Sequence, residues 1–373
     1  MTTVFEERTR AAQERLRDHD ADLVLFPSHD LTYLSGFEEH PGERHLLLFV
    51  PRSGDPVFFV PDLYGEQIRE TSWVPDVRTW ADDDDPREEL AAVLADLDLG
   101  DRLLVDDTMH ARFTQDLAAV HDCEMGLASE VLGPLRVRKD EAELDALRRA
   151  GEAADEAVEA VRALGDEAVG MTEDELAAVV ERELAAAGGK GVSFETITGS
   201  GPNGAMPHHT HGDREVEAGD PVVLDFGTVV DRYPSDQTRT VVFDGEPPEQ
   251  FEEVHVVVRE AQQAAVDAVA PGVTCEAVDA AAREVIEAAG YGEQFVHRTG
   301  HGVGLDVHEE PYIVAGNDRE LEPGMVFSIE PGVYLPGEFG VRIEDLVVVT
   351  DDGCERLNHT DRGWRCRPSG RFD

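Results

Sequence analysis

His297-Arg-Thr-Gly-His-Gly-Val-Gly-Leu-Asp-Val-His-Glu-Glu-Pro311 places three histidines within twelve residues of a chain that has 14 in all. Gly300, Gly302 and Gly304 interleave them, which argues against a regular helix. Read as extended chain, His297 and His301 point to one side, because strand side chains alternate with period two. His308 returns to that side only if the chain bends, and the glycines are expected to permit the bend. A polar loop with chance histidines is the competing reading, and the rest of the chain decides between the two.

The same order of features occurs earlier. Gly170-Met-Thr172 is expected to open a helix ending at Ala187-Gly188, and Phe194-Glu-Thr-Ile-Thr-Gly-Ser-Gly201 follows. Gly272-Val-Thr274 opens its counterpart, ending at Ala289-Gly290, and Phe295-Val-His-Arg-Thr-Gly-His-Gly302 follows. Glu217-Ala-Gly-Asp-Pro-Val-Val-Leu-Asp-Phe-Gly227 then matches Glu322-Pro-Gly-Met-Val-Phe-Ser-Ile-Glu-Pro-Gly332. From Phe194 to Phe295 the offset is 101, and from Asp236 to Glu344 it is 108, a drift that small loop insertions produce. A duplicated helix–strand–hairpin unit is the economical explanation. It predicts two pseudo-symmetric halves, with too few copies for a solenoid.

Each half offers two acids in equivalent places. Asp225 ends the apolar run Val222-Val-Leu, Asp231-Arg-Tyr-Pro is turn-like, and Asp236 begins the returning strand. A hairpin would bring both acids to one face, with Thr238 and Thr240 alongside. Glu330 ends Met325-Val-Phe-Ser-Ile, and Glu344 is expected on one strand from Val341 to Val349, with Arg342 on its face. Four carboxylates buried together would repel and would have to protonate unless cations neutralise them. Oxygen ligands with one or two imidazoles suit Mn²⁺, Co²⁺, Fe²⁺ or Zn²⁺ better than Ca²⁺. His301 stands where the first half has Ser200.

These motifs together resemble the pita-bread metallopeptidases: prolidases, aminopeptidase P and methionine aminopeptidases. The resemblance covers about residues 135–350. It implies an α+β fold, a pita-bread catalytic domain (135–373) of two pseudo-symmetric halves after an α/β creatinase-type N-terminal domain (1–134). It implies two divalent metals, Mn²⁺ or Co²⁺ first, held by Asp225, Asp236, His301, Glu330 and Glu344, with Asp236 and Glu344 bridging. It places His308 near the substrate carbonyl, His297 in the site, Arg342 beside it and His208 on the opposite wall, with His209 and His211 as competitors for that last place. The implied reaction is hydrolysis of Xaa-Pro bonds by a hydroxide shared between the metals. Glu330 would shuttle the proton and His308 would donate to the oxyanion. The implied substrates are small peptides with proline second, and the implied assembly is a homodimer. Some archaeal prolidases carry an arginine after the His-Glu-x-Pro motif, where Tyr312 stands here, so Arg319 or Arg342 is expected to compensate. A metal-free peptide-binding module and a creatinase-like C–N hydrolase are the alternatives; the complete ligand set argues against both.

Charge sets the environment. The balance of 80 acids against 32 basic residues gives a formal charge of −48, and Lys139 and Lys190 are the only lysines. Such a surface repels nucleic acid and anionic membranes. It repels itself unless salt screens it, at a Debye length of about 3 Å in molar salt. A salt-rich cytoplasm is therefore expected. Four scattered cysteines read as free thiols. The N-terminus lacks the order of a signal peptide, and no apolar run approaches a membrane span.

Residues 1–132 alternate helix and strand patterns. Helices are expected at Phe5–His19, Pro86–Leu97 and Ala111–Val120, and strands at Leu23–Phe26, Leu46–Val50, Val57–Val60 and Arg102–Val105. Gly133-Pro134 is read as punctuation, with Leu135–Lys139 an extended link. Asp140 and Glu143 have capping-box spacing before a helix whose apolar stripe runs from Leu144 to Val161. A second amphipathic helix is expected at Pro248–Ala270, with His255 packed in it. Gly300-His-Gly-Val-Gly lacks the context of a dinucleotide loop, and Glu309 and Glu310 read as solvated acids.

Overall fold

A computed structural model describes residues 3–366 of the chain. It divides into one unit up to Arg136 and a second from Val137. The first unit runs α1 (Val4–Asp18), β1 (Asp22–Leu25), α2 (His29–Ser35), β2 (Leu47–Val50), β3 (Val57–Pro61), α3 (Asp62–Thr71), β4 (Asp76–Trp80), α4 (Pro86–Leu97), β5 (Arg102–Val105), α5 (Ala111–Val120), β6 (Glu124–Leu127) and α6 (Ser129–Arg136). Its six strands form one sheet in the order β4-β3-β2-β1-β5-β6. Two pairings, β1 with β2 and β2 with β3, are antiparallel, and the remaining three are parallel. The inner strands are buried on both faces, as their unbroken Val, Leu and Phe runs require. Edge strands β4 and β6 are half polar and left no apolar run to find.

The expected extended link is helical up to Arg136. Val131 and Leu132 are fully buried, and their N–H groups share the Ala128 carbonyl, so packing carries the turn through Gly133 and Pro134. The chain becomes extended only at Arg138, which bridges Met325.

The second unit opens with α7 (Glu141–Arg162), whose capping box joins Asp140 and Glu143. Then come α8 (Glu173–Ala186), β7 (Ile197–Ser200), β8 (Val222–Phe226), β9 (Val229–Val230), β10 (Tyr233–Pro234) and β11 (Gln237–Val241). The other half has α9 (Phe251–Ala268), α10 (Cys275–Ala288), β12 (Gly300–Gly302), β13 (Glu309–Ile313), β14 (Val326–Ile329), β15 (Gly332–Leu335), β16 (Phe339–Arg342), β17 (Asp345–Thr350) and β18 (Gly353–Arg356). Sheets β11-β8-β7 and β13-β12-β14-β17-β18 are the cores of the two halves. A hydrophobic cluster of α7, α8 and β8 backs the first, and one of α9, α10, β14 and β17 backs the second.

The duplication is explicit in the hydrogen bonds. Thr172 and Thr274 cap α8 and α10. Gly170 N–H donates to Val216 and Gly272 N–H to Leu321. Glu173 N–H donates to Arg214 and Cys275 N–H to Arg319. Gly219 and Gly324 both take positive φ, 91° and 88°, at the turn before β8 and β14. Asp231 and Arg232, φ 46° and 76°, make the tight turn between β9 and β10 that the Asp-Arg-Tyr-Pro run predicts.

One strand expectation needs correction. The run from Val341 to Val349 is not one strand: β16 ends at Arg342, β17 starts at Asp345, and each belongs to a different sheet. Glu344 lies in the crossing. Its N–H donates to the Thr238 carbonyl at 3.1 Å, and its own carbonyl accepts from Arg239 Nη1 at 2.6 Å.

Candidate metal centre and substrate face

The hairpin β8–β11 pairs Asp225 with Thr238 and leaves Asp236 just before β11. Glu330 follows β14, Glu344 lies between β16 and β17, and His301 is the middle residue of β12. Donor atoms within 4.8 Å of one another fall into three overlapping groups: Asp225, Asp236 and Glu344; His301, Glu330 and Glu344; Asp236, His301 and His308. The five residues proposed as ligands are thus brought together from both halves. The exposed His308 is near enough that geometry also admits it as a ligand.

Three observations fit the cluster to a cation. First, Asp225 Oδ1 and Glu344 Oε1 are buried with no hydrogen-bond partner among the described residues. Their sister oxygens are satisfied, Asp225 Oδ2 by Arg342 Nη2 at 2.6 Å and Glu344 Oε2 by Thr238 Oγ1 at 2.7 Å. Second, His301 Nδ1 lies 3.2 Å from the Gly302 carbonyl, which can only accept, so Nδ1 carries the proton. The Nε2 lone pair then faces Asp236 Oδ2 at 3.6 Å and Glu330 Oε1 at 3.4 Å, acceptor against acceptors. Third, burial, reinforced by the charges of Glu344, Asp225 and Glu330, pushes the Asp236 carboxyl well above its usual range. Burial and the charge of Glu330 do the same to Glu344. Burial raises Glu330 to about 7 against the opposing pull of Arg342. Burial holds His301 down to about 3, so its imidazole is neutral. Carboxylates and a neutral imidazole with idle lone pairs are the donor set a divalent ion requires.

On the open side, the rings of His301 and His308 lie 3.9 Å apart. His209 is occupied elsewhere: its Nε2 meets Glu173 Oε2 at 2.7 Å. His211 pairs with Asp174 at 2.6 Å. That leaves His208 exposed, close enough to influence the protonation of His297 and His308. His297 is not a free donor. Its Nδ1 donates to the Arg298 carbonyl at 2.7 Å, so its Nε2 accepts the Tyr334 hydroxyl at 2.9 Å. Tyr334 in turn accepts from Arg342 at 2.8 Å, which completes a relay back to Asp225. Burial lowers His297 to about 4, consistent with a neutral ring.

The expected bend is present from Gly304 to His308 and returns His308 to His301, and the glycines also have a second role. Gly300, Gly302 and Gly304 are absent from the positive-φ residues. They provide clearance: a Cβ on Gly300 would strike the Ser328 carbonyl, and one on Gly302 the Glu310 carbonyl. His301 is thereby seated flat on β14, its N–H donating to Ser328 Oγ at 3.1 Å.

Several supporting residues left no local signal. Glu309 is not a solvated acid: it pairs at 2.5 Å with Lys139, whose side chain is wholly buried. Asp279 of α10 accepts from Thr299 N and Oγ1, fixing the entry to β12. Asp345, beside Glu344, gathers Arg239, Arg356 and Arg362. Burial alone would raise its carboxyl, but the three guanidiniums hold it below the usual range. His255 is buried in α9, as expected.

Comparison with known proteins agrees with this geometry. Residues 145–351 match the model of metallopeptidase family M24, and residues 8–138 match the creatinase/prolidase N-terminal domain. The chain is 45% identical over 345 residues to a probable dipeptidase PepE of Mycobacterium tuberculosis, covering 91% of this chain and 90% of that one. It is 38% identical to an Xaa-Pro dipeptidase of Lactobacillus delbrueckii subsp. lactis, covering 95% and 98%. A crystal structure of recombinant prolidase from Thermococcus sibiricus superposes with a TM-score of 0.92 at 38% identity, covering 98% and 100%. With the repeat, the buried acids and these matches in agreement, the chain belongs to metallopeptidase family M24 and carries the pita-bread fold behind a creatinase/prolidase-type N-terminal domain.

Proposed function

We propose that this chain is a dinuclear-metal exopeptidase that hydrolyses Xaa-Pro bonds in small peptides. The observation that carries the reading is the pair of orphaned oxygens, Asp225 Oδ1 and Glu344 Oε1, inside a cluster of five donors. Asp236, His301 and Glu344 each recur in two of the overlapping donor groups, which fits two adjoining ions; that Asp236 and Glu344 bridge them rests on the family resemblance. The names of the relatives support the proline preference. The oxygen-rich set with one imidazole favours Mn²⁺ or Co²⁺. The acidic surface fits a salt-rich cytoplasm, and no helix among the described residues is long and apolar enough to cross a membrane. A homodimer rests on the family resemblance alone.

Bound divalent ions would bring the pKa of a shared water near 7 and polarise the scissile carbonyl. The side chains then divide the work. Glu330, whose Oε1 lies 3.4 Å from His301 Nε2, is placed to take a proton and return it to the leaving nitrogen. His308, on the open side of His301, donates to the oxyanion. His208 closes the opposite wall. Arg342 fixes Asp225 through one oxygen and keeps the other available. A proline nitrogen has no N–H to be recognised, so reading the N-terminus at the metals suits this bond.

The test is metal analysis of the purified protein, with hydrolysis of Gly-Pro, Ala-Pro and Ala-Ala in molar salt with Mn²⁺ or Co²⁺. The expected result is two ions per chain and turnover of the proline peptides. His308→Ala should retain both ions and lose about 10²- to 10³-fold in kcat, the worth of one oxyanion donor. Protein that binds no divalent ion overturns the reading, and loss of an ion in His308→Ala would make that histidine a ligand instead.

A further inference from the structure

The proposed peptidase leaves one question open: what reads the far end of the substrate. A dipeptide presents a carboxylate immediately after the proline ring, and a longer peptide presents a neutral amide there. A site restricted to dipeptides therefore needs a cation at a fixed distance from the metals.

Most cations near the cluster are already occupied. Arg342 is buried and divides its guanidinium among Asp225, Tyr334 and Thr238. Lys139 is buried against Glu309. Arg319 faces Glu310 at 4.0 Å. Arg298 differs from all three. Among the described residues its guanidinium has no hydrogen bond or ion pair, in a chain where acids outnumber bases 80 to 32. Its guanidinium carbon lies 4.4 Å from the centroid of the Tyr312 ring. Stacking holds the planar group in place while its N–H fork stays open.

The position is also suitable. Arg298 directly follows His297 and lies three residues before His301. Tyr312 sits on β13, whose first residue follows His308. The Thr299 N–H donates to the Ile313 carbonyl, which ties the two segments side by side. The charge of Arg298 is felt at His301, His308 and Glu330 alike, which puts its guanidinium near the cluster.

We infer that Arg298, laid against Tyr312, receives the C-terminal carboxylate of a dipeptide, and that this contact makes the protein selective for dipeptides over longer chains. The inference rests on the peptidase reading above. Tyr312 serves as the shelf that orders the arginine before substrate arrives. Without it, Arg298 would pay side-chain entropy on binding.

The test compares Ala-Pro with Ala-Pro-amide, which keeps the scissile bond and removes the charge. Unaltered protein should prefer the free acid by about ten- to a hundredfold in kcat/KM, the worth of a charge-assisted bond. Arg298→Gln should erase that preference by losing activity on Ala-Pro alone, with metal content and melting temperature retained. Arg298→Lys should keep part of it. Calorimetry should show the same split between L-proline and L-prolinamide, independent of turnover. Equal loss on both substrates in Arg298→Gln, or no discrimination by the unaltered protein, overturns the inference while leaving the peptidase reading intact. An unaltered, metal-loaded protein that cleaves neither substrate overturns both.

Discussion

The two halves of the catalytic unit share one frame and put different chemistry on it. On the first strand of each half, the first has Ser200, the last residue of β7, and the second has His301, the middle residue of β12. Ser200 is consumed by scaffolding: its N–H and hydroxyl both donate to the buried Glu173 of α8. His301 takes its scaffold contact through its backbone and leaves Nε2 to the acids. A second exchange lies just behind the acids. In the first half Gln237, next to Asp236, donates to Asp155 of α7 at 2.7 Å. In the second, Asp345, next to Glu344, accepts from Gln262 of α9 at 2.9 Å. Amide and carboxylate have traded places between strand and helix, and the hydrogen bond persists. Duplication thus preserves the geometry of support, and asymmetry enters only where a lone pair or a charge is needed.

The largest effect should come from breaking the first exchange. His301→Ala should lower metal affinity by more than the roughly 10- to 100-fold that a lost supporting contact costs, and abolish turnover. Ser200→Ala should leave metal content unchanged and cost only about 1–3 kcal/mol of stability, as Glu173 loses a donor. Titration with Mn²⁺, followed by denaturant unfolding of both variants, checks the pair. Equal metal loss in the two would mean that the halves are chemically equivalent after all.

Next comes the second exchange. Asp345→Asn should destabilise by about 3–5 kcal/mol, because it strands the buried Arg239. Gln237→Leu on the neutral side should cost less, about 1–3 kcal/mol. Urea midpoints at constant slope measure both.

The smallest effect concerns the helices. The inner face of α7 is mostly Ala, Val and Leu, whereas α9 buries His255, whose Nε2 has no partner among the described residues. Burial, aided by Arg259 and Arg162, lowers this histidine to about 4. The unfolded chain therefore binds a proton that the folded chain refuses between about pH 6.5 and 4. Stability from this group is complete above the unfolded value and falls as pH drops through that window, by roughly 3 kcal/mol in all. His255→Leu should flatten the unfolding free energy over that range by the same amount.

Much of this was legible in the chain. The duplicated helix–strand order survives as local pattern, because capping threonines, turn glycines and strand-end acids each act within a few residues. Seven of the N-terminal elements appear within a residue of their expected ends for the same reason. What remained hidden acts across long separations. Lys139 meets Glu309 170 positions away, and nothing near either residue marks the pair. Arg239 and Asp345 read as ordinary strand residues until the halves meet. The clearance that Gly300 and Gly302 provide was hidden because close approach to another strand leaves the same sequence mark as a bend. The predicted strand through Glu344 failed because the apolar run continues across a change of sheet.

The seam has a consequence for the order of assembly. Thr238 and Glu344 are 106 positions apart, and so are Arg239 and Asp345. Each hairpin can form from neighbouring segments, but the donor cluster exists only after a long chain closure whose entropy must be met first. The four carboxyls therefore meet only when the two halves close on each other, and without cations burial drives them toward the protonated form. Cations present at that stage bind the native state alone and draw the equilibrium toward it.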